Sequence, residues 1–372
     1  MRWAMPGRGA SLLLAAALLA PGPARAVEVV RISVVASATE VELSGAGLAV
    51  ESLRDGAERR AVPGDRARVR LDGDLLVLDG RPTDGAGLLF TARGSIRCAG
   101  RDLSGEVEVR RTAGGLSVID VLPLEEYVAA VVGGEMPLSF PPEALKAQAV
   151  AARTFAVGKK LEARDQALDF DLGSTVLDQV YPGAGRADPR ARAAALATAG
   201  EILVKDRRPI EAYFHSACGG RTERGADALG RDLPYLPSVS CDRCQGSSSY
   251  RWTLRLPAAE LGRLVGLPGA ASRLAVVRST STGRAARVAV EGPGGKVVLD
   301  GADFRRRLGY DRLPSLAFTV KTTKGVFVLN GKGRGHGAGM CQWGAAGWAR
   351  AGQGHAAILA RYYPGAELTR LY

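Results

Sequence analysis

One carboxylate lies where acid–base chemistry could be done, just ahead of a basic helix. Glu135 is the single acid of the irregular stretch GEMPLSFPP, residues 134–142. The next segment predicts a helix with Lys146 and Arg153 on one face, seven residues apart. An acid beside cations favours catalysis, in which Glu135 exchanges a proton while the cations hold polar groups of a substrate. This segment alone leaves open that Glu135 only caps or solvates the turn.

Three cysteines and one histidine have the spacing of a zinc site. His215 and Cys218 form one pair and Cys241 and Cys244 another, each with two residues between its members. Two such turns can clamp a tetrahedral Zn²⁺. Four protein ligands leave no position for water, so the ion would be structural. A redox pair at Cys241 and Cys244, or a disulfide from Cys218 to one of them, is the alternative, and His215 would then be free for an active cleft.

The glycine-rich segment GKGRGHGAG, residues 331–339, predicts a binding loop with His336 in its middle. Glycine lets the backbone approach a ligand closely, and the helix predicted from Gln342 directs its N-terminal amides to the same place. No Lys-Ser or Lys-Thr pair follows the glycines, so this is not a nucleotide P-loop, and we expect no organic cofactor. The alternative is a tightly packed turn. Cys341 is interpreted as a core residue.

Hydrophobic periodicity predicts the elements that position these residues. Short alternating runs over residues 27–117 predict antiparallel strands and a β-rich N-terminal lobe. Residues 118–372 mix helical and strand patterns, with a β-rich segment at about 250–320, and form the predicted mixed α/β catalytic lobe. The predicted fold class is therefore α+β. Helices are predicted at about 125–132, from 141 onwards, and at about 188–200, 257–265, 304–308, 342–351 and 355–362.

The first 26 residues have the features of a Sec-type signal peptide. Arg2 and Arg8 precede an apolar run of about ten residues, and Ala24-Arg25-Ala26 forms a small-x-small cleavage site. No later segment reaches the roughly 18 to 20 apolar residues that span a bilayer, so no stable membrane span is expected. The predicted location is the periplasm, the cell wall or the extracellular space.

The charge of the chain favours an anionic surface such as a cell wall. The formal charge is +12, and it becomes +9 when the three arginines of the first 26 residues are removed. The basic residues are scattered, and only 6% of the residues are aromatic, which argues against nucleic acid as the partner. The odd count of five cysteines argues against a scaffold in which all are paired in disulfides.

Several long motifs together resemble the stage II sporulation protein D family, also called SpoIID/LytB. The resemblance runs in the family's order from about residue 118 to the C-terminus, and the preceding β-rich part is also similar. Its segments are LPLEEYVAAVVGGEMP, PPEALKAQAVAARTFAV, QVYPGA, AYFHSACGG with PYLPSV, and GRGHGAGMCQWGAAGWARAG with ILARYYPGAEL.

The resemblance implies a peptidoglycan lytic transglycosylase that cleaves the MurNAc-GlcNAc bond of glycan strands, with strands stripped of stem peptides as one expected substrate form. It assigns the catalytic acid to Glu135, in the EMP motif, and it implies a zinc-bearing member. A non-catalytic role as a glycan-binding enhancer of a cell-wall amidase is the alternative. The candidates for lining the substrate cleft are Lys146, Gln148, Arg153, Tyr181, His336 and Gln342.

A single acid is consistent with this chemistry. Hydrolysis of glycosides normally needs two carboxylates. In a lytic transglycosylase the C6 hydroxyl of the sugar attacks C1, giving a 1,6-anhydroMurNAc product, so one residue can protonate the leaving oxygen and then accept the hydroxyl proton. Glu135 must then be protonated near neutral pH, which requires a pKa raised by burial and opposed by any close cation.

Overall fold

A computed structural model describes residues 28–54, 58–83, 85–174, 179–183 and 187–372. The signal peptide predicted at 1–26 lies outside this part of the chain. Helices and strands are mixed throughout, which confirms the predicted α+β fold class. In the described residues the helices are α1 (Leu124–Glu135), α2 (Pro142–Asp165), α3 (Pro189–Ala197), α4 (Gly225–Leu229), α5 (Ala258–Val265), α6 (Gly301–Leu308), α7 (Gln342–Arg350) and α8 (His355–Tyr362).

Two antiparallel sheets form the N-terminal lobe and enclose their own core. Alternation of apolar and polar residues buries one face of each strand, as at Leu43, Phe90 and Val118. The strands are β1 (Val29–Ala38), β2 (Glu40–Ser44), β3 (Ala49–Ser52), β4 (Arg60–Ala61), β5 (Arg66–Asp72), β6 (Leu75–Leu78), β7 (Arg81–Pro82), β8 (Gly87–Thr91), β9 (Ile96–Cys98), β10 (Arg101–Leu103), β11 (Glu106–Thr112) and β12 (Gly115–Pro123). One sheet has the order β10-β9-β2-β5-β6-β7. The other has the order β1-β12-β11-β8-β3-β4 and is extended beside β1 by β13 (Leu172–Gly173).

The second core surrounds α2, whose 24 residues begin with a proline in the first turn. Pro141 takes the N-cap position with no side-chain hydrogen bond, which agrees with the helix start predicted at 141. Helix α1 leaves β12 directly and continues through Gly133 and Gly134 to Glu135, three residues beyond the predicted end. The catalytic candidate is therefore the last residue of α1, a helix whose preceding turns are buried.

Further strands follow in the C-terminal half. A third core lies between the strands of residues 252–331 and the helices α5 and α6, largely within the segment predicted to be β-rich. Within the described residues, no helix is both long and apolar enough to cross a membrane. The strands are β14 (Glu201–Lys205), β15 (Arg208–Pro209), β16 (Phe214–His215), β17 (Trp252–Pro257), β18 (Arg273–Ser279), β19 (Ala285–Gly292), β20 (Gly295–Asp300), β21 (Phe318–Thr323), β22 (Val326–Gly331), β23 (Met340–Cys341) and β24 (Glu367–Arg370).

Two buried side chains tie this third body to the central core. Arg284, 6% exposed, donates from Nη2 to the carbonyl oxygens of Cys218 and Arg221, at 3.0 Å each. Glu223, 1% exposed, accepts hydrogen bonds from the hydroxyls of Thr280 and Thr282. The turn between β18 and β19 is therefore held against the loop that carries Cys218.

Candidate active site and cysteine cluster

Glu135 is a partly buried carboxyl held by two neutral donors. The backbone amide of Val180 donates to its Oε1 at 2.8 Å, and the side-chain amide of Gln342 also donates to the carboxylate. Burial raises the pKa of Glu135 above the usual range for a glutamate, and the bonds from Val180 and Gln342 oppose part of that rise. A proton can therefore stay on Glu135 at a higher pH than on an exposed glutamate.

Other carboxylates near Glu135 in the sequence bind cations instead. Glu125 is paired with Arg153, and Glu126 with Arg192. Burial raises the pKa of Glu143, but hydrogen bonds from Lys146 and from the backbone and ring of His355 prevail and lower it to about 2. These three acids are suited to structural ion pairs, whereas Glu135 is suited to proton transfer.

Gln342 connects the helix that follows the glycine-rich segment to Glu135. It is the first residue of α7, three residues after the glycine-rich segment ends at Gly339, and its Nε2 also donates to Oε1 of Gln148 on α2, at 3.3 Å. Gln148 is fully buried and Gln342 is 5% exposed. Gln342 thus contacts both Glu135 and Gln148. The full burial of Gln148 contradicts its predicted contact with substrate.

Arg153 does not belong to a substrate cleft. Its side chain is fully buried, and Nε donates to Glu125 at 2.8 Å. Its remaining nitrogens donate to the carbonyl oxygens of Ala195 and Glu201 and to the hydroxyl of Thr198. The prediction that Arg153 binds substrate is wrong, because the side chain is enclosed by other parts of the protein. Helix periodicity indicates which face of the helix Arg153 occupies, but it does not indicate what packs against that face.

Tyr181 is also buried away from solvent. It is 1% exposed, and its hydroxyl donates to Oδ2 of Asp120 at 2.6 Å. The predicted contact of Tyr181 with substrate is therefore contradicted. Lys146 remains partly exposed, with Nζ on Glu143 at 2.7 Å, and its contact with substrate stays a prediction.

His336 is partly exposed, with both ring nitrogens engaged. Its Nε2 donates to the carbonyl oxygen of Phe214 at 2.9 Å, and its Nδ1 accepts from the amide of Ala338 at 3.1 Å. Burial lowers the pKa of His336 to about 4, so the ring is neutral near pH 7. Its contact with substrate stays a prediction, and such a contact would use the face or edge of the ring.

A cluster of four cysteines replaces the predicted set of three cysteines and a histidine. The sulfur atoms of Cys218, Cys241, Cys244 and Cys341 all lie within 4.8 Å of one another, and all four residues are buried. His215 instead donates from Nδ1 to the carbonyl oxygen of Ala338 at 3.0 Å. The fourth sulfur thus comes from Cys341, which lies in the buried core as predicted and also joins the cluster.

The cysteine cluster fits a tetrahedral ion. Zinc–sulfur bonds of about 2.3 Å place the sulfurs of a tetrahedron about 3.8 Å apart, and Sγ of Cys218 and Cys244 are 3.6 Å apart. The amides of Cys218 and Gly344 approach Sγ of Cys341 at 3.3 Å, and the hydroxyl of Tyr362 lies 3.2 Å from Sγ of Cys241. Donors of this kind stabilise metal-bound thiolates. The structure pairs none of the five cysteines in a disulfide, and the 3.6 Å between Sγ of Cys218 and Cys244 exceeds the disulfide bond length of about 2.05 Å.

Two of these site features were missed from the sequence. A backbone amide has no side-chain signature, and the only hint of Val180 was its place in the segment QVYPGA. Cys341 could have been found by asking which remaining cysteine lies next to a ligand strand. In the parallel β16–β23 ladder, Cys341 pairs with His215. His215 in turn lies only three residues before Cys218 in the sequence.

Comparison with known proteins agrees with the motifs. A sequence model of the SpoIID family, described as Stage II sporulation protein, matches residues 112–204. A model described as a domain of unknown function matches residues 241–339, which include the third core. The first of these matches contains Glu135 and Val180, and the second contains His336.

Relatives among known proteins cover most of the chain. Stage II sporulation protein D of Bacillus subtilis (strain 168) is 35% identical over 280 residues, which are 71% of this chain and 78% of that protein. Stage II sporulation protein D of Bacillus amyloliquefaciens is 35% identical over 266 residues, 68% of this chain and 75% of that protein. A protein named amidase enhancer from Bacillus subtilis (strain 168) is 28% identical over 295 residues, 64% of this chain but 40% of its own length. With its acid, its glycine-rich loop and these relatives in agreement, the chain belongs to the stage II sporulation protein D family.

Proposed function

We propose that this protein is an exported lytic transglycosylase that cleaves peptidoglycan glycan strands, with Glu135 as its single catalytic acid. Family membership supports a cell-wall-related role. The observation that carries the reaction type is Glu135 itself, a partly buried carboxyl with a raised pKa and two neutral hydrogen-bond donors. Lys146 and His336 are the proposed substrate contacts that remain partly exposed.

The proposed reaction uses Glu135 twice. The protonated carboxyl gives its proton to the glycosidic oxygen as the bond from that oxygen to C1 of MurNAc breaks. The resulting carboxylate then accepts the proton of the C6 hydroxyl while that oxygen bonds to C1. The product is a 1,6-anhydroMurNAc end, no water is consumed, and Glu135 returns to its protonated form. The Val180 amide and Gln342 stabilise the carboxylate that the first step forms and the second step consumes.

The test uses the exported chain and glycan strands stripped of stem peptides, followed by mass analysis for anhydro-ended products. Wild type should form them, and Glu135→Gln should lose at least about 100-fold in rate, the usual range for a general acid. Glu126→Gln is the matched control, because Glu126 lies on the same helix but binds Arg192 at the surface. Absence of anhydro ends from wild type, or equal rates for Glu135→Gln and wild type, would refute the assignment.

A non-catalytic function is the second candidate, favoured by the likeness to the protein named amidase enhancer. The protein would then bind glycan and increase cleavage by a cell-wall amidase. Glu135→Gln distinguishes the two, because an enhancer should stimulate the amidase on purified cell walls equally well with or without that acid. Stimulation by Glu135→Gln, combined with no anhydro product from wild type, would favour the enhancer.

We also propose that Cys218, Cys241, Cys244 and Cys341 hold a structural Zn²⁺. Bound there, the ion would fix the loop at Cys218 and the loop at Cys241 to the start of α7, which carries Gln342. Metal analysis should find stoichiometric zinc in wild type and a loss of it in Cys341→Ser. The matched control is Cys98→Ser, which alters a buried thiol in the N-terminal lobe and should keep the metal. Unchanged zinc in Cys341→Ser would refute this ligand set.

A further inference from the structure

The segment that supplies the Val180 amide is fixed by side chains on both sides of it. The hydroxyl of Tyr127, on α1, donates to Oε1 of Gln179 at 2.8 Å. The hydroxyl of Tyr181 donates to Oδ2 of Asp120, on β12, at 2.6 Å. Each direct neighbour of Val180 thus has its own anchor, and all four side chains are buried, at 0–1% exposure.

Close backbone packing holds the same segment from two directions. A Cβ built on Gly134, the residue before Glu135, would lie 3.0 Å from the carbonyl oxygen of Val180. A Cβ built on Gly183 would lie 2.4 Å from the carbonyl oxygen of Asp102, in the N-terminal lobe. Residues 179–183 are therefore packed tightly between the end of α1 and β10.

Asp120 is itself a buried acid with no part in the proposed proton transfers. Besides Tyr181, it accepts from the amide of Ser104 at 3.0 Å and from the Ser104 hydroxyl. Burial raises the pKa of Asp120, and the bonds from Ser104 and Tyr181 oppose that rise. The hydrogen bonds from Ser104 and Tyr181 offset part of the cost of burying this acid. The bond from Tyr181 also ties Asp120 to the residue that directly follows Val180.

Resting on the proposed role of Glu135, we propose that Asp120 with Tyr181 and Tyr127 with Gln179 are positioning pairs that keep the Val180 amide on the Glu135 carboxylate. The two anchors meet at one peptide, and its N–H is the backbone donor to Oε1. One anchor belongs to a strand of the N-terminal lobe, so that lobe takes part in shaping the catalytic carboxyl.

Loosening the anchors should raise the pKa of Glu135. In the described part of the chain, burial, the Val180 amide and the Gln342 side chain set the pKa of this carboxyl. The hydrogen bond from the Val180 amide favours the ionised form of Glu135, so weakening this hydrogen bond makes the proton harder to remove. It also lets the carboxyl move relative to the glycosidic oxygen, and small displacements of a catalytic group can reduce rates strongly.

The test compares three Tyr→Phe variants that each remove one buried hydroxyl. Tyr181→Phe and Tyr127→Phe release the two anchors. Tyr235→Phe is the control, because in the described residues it removes the hydroxyl that accepts from the Glu211 amide and leaves both anchors in place. Thermal melting should show similar small losses of stability in all three. Formation of anhydro ends should fall about tenfold in Tyr181→Phe and Tyr127→Phe, without a matching rise in KM, and stay at the wild-type level in Tyr235→Phe.

NMR titration of the glutamate carboxyl carbons provides a readout that needs no activity. The Glu135 signal is identified by its absence in Glu135→Gln, and its titration midpoint should move to higher pH in Tyr181→Phe and Tyr127→Phe but not in Tyr235→Phe. An unchanged midpoint in both anchor variants would overturn the positioning role. If wild type forms no anhydro ends, the proposed function fails, but a midpoint that moves as expected still supports the anchors.

Discussion

Replacement of Arg153 by methionine tests whether this residue supports the fold or binds substrate. The arginine is fully buried and donates to Glu125, Thr198 and two backbone carbonyl oxygens. Methionine fills most of the same volume but donates no hydrogen bond. The change leaves the Glu125 carboxylate without its cation in a largely covered position, with a side chain 17% exposed.

The expected cost follows from what Glu125 retains. Removing one partner of a buried ion pair costs about 3 to 5 kcal/mol. Glu125 keeps donors from the Tyr372 hydroxyl and the Gly200 amide, so we expect a loss of about 3 kcal/mol, at the lower end of that range. Adding Glu125→Gln removes the unpaired charge and should restore about 1 kcal/mol.

The loss should also depend on pH. Burial raises the pKa of Glu125, but the hydrogen bond and charge of Arg153 prevail and lower it below its usual value. The stability that this pair contributes is therefore present above the ordinary glutamate pKa and lost as the pH falls through the lower, folded-state value. The difference between wild type and Arg153→Met should shrink in acid.

Urea unfolding at several pH values measures this prediction, with Arg192→Met as the control. Arg192 pairs with Glu126, but its side chain is 46% exposed, so its loss should cost no more than about 1 kcal/mol. Equal unfolding midpoints for the two variants, together with weaker binding of Arg153→Met to purified glycan, would refute the structural role of Arg153. They would support the prediction that Arg153 binds substrate.

Three further outcomes are expected. Gly339→Ala should cost about 4 kcal/mol in urea unfolding, because φ is +70° and the new Cβ would lie 1.9 Å from the Tyr213 carbonyl oxygen. Gly325→Ala is the control and should cost about 1 kcal/mol, because φ is +73° but nothing lies within 4 Å of the new Cβ. Equal costs for the two variants would contradict the clash at Gly339. Activity should fall as the pH rises through the raised pKa of Glu135, measured as the basic limb of the rate profile; a limb at the ordinary glutamate pKa would contradict the burial argument. Glu135→Gln should gain melting temperature over wild type with rising pH, because the stability linked to a raised carboxyl pKa is lost above it, and a constant difference would contradict this.

Local rules predicted most of the elements because each has a physical signal within a few residues. Asp188 caps α3 by accepting from the Arg190 amide at 2.8 Å, as expected for Asp before Pro. The two closing helices end within one residue of their predicted bounds. The end of α1 was missed because glycines in a helix lower its intrinsic stability, and the packing of Gly134 against Val180 is a tertiary contact that outweighs this cost.

Side-chain roles were harder to predict because they depend on contacts between distant residues. Periodicity placed Lys146 and Arg153 on one face of α2 but carried no information on what covers that face. Lys146 is partly exposed beside Glu143, whereas Arg153 is enclosed by α1, α3 and β14. Motif spacing likewise found three of the four clustered cysteines, and it missed Cys341 because that residue is distant in sequence from the other three.

The geometry of Glu135 shows that its environment depends on distant parts of the chain. Its raised pKa comes from burial, which residues of several elements supply, and its orientation comes from an amide 45 residues away. That amide is fixed through Asp120 on one side and Tyr127 on the other. An isolated copy of the motif would therefore have the acid but neither the burial nor the donor. It follows that substitutions in the N-terminal lobe at Asp120 should change the titration of Glu135, although the two side chains share no direct hydrogen bond in the described structure.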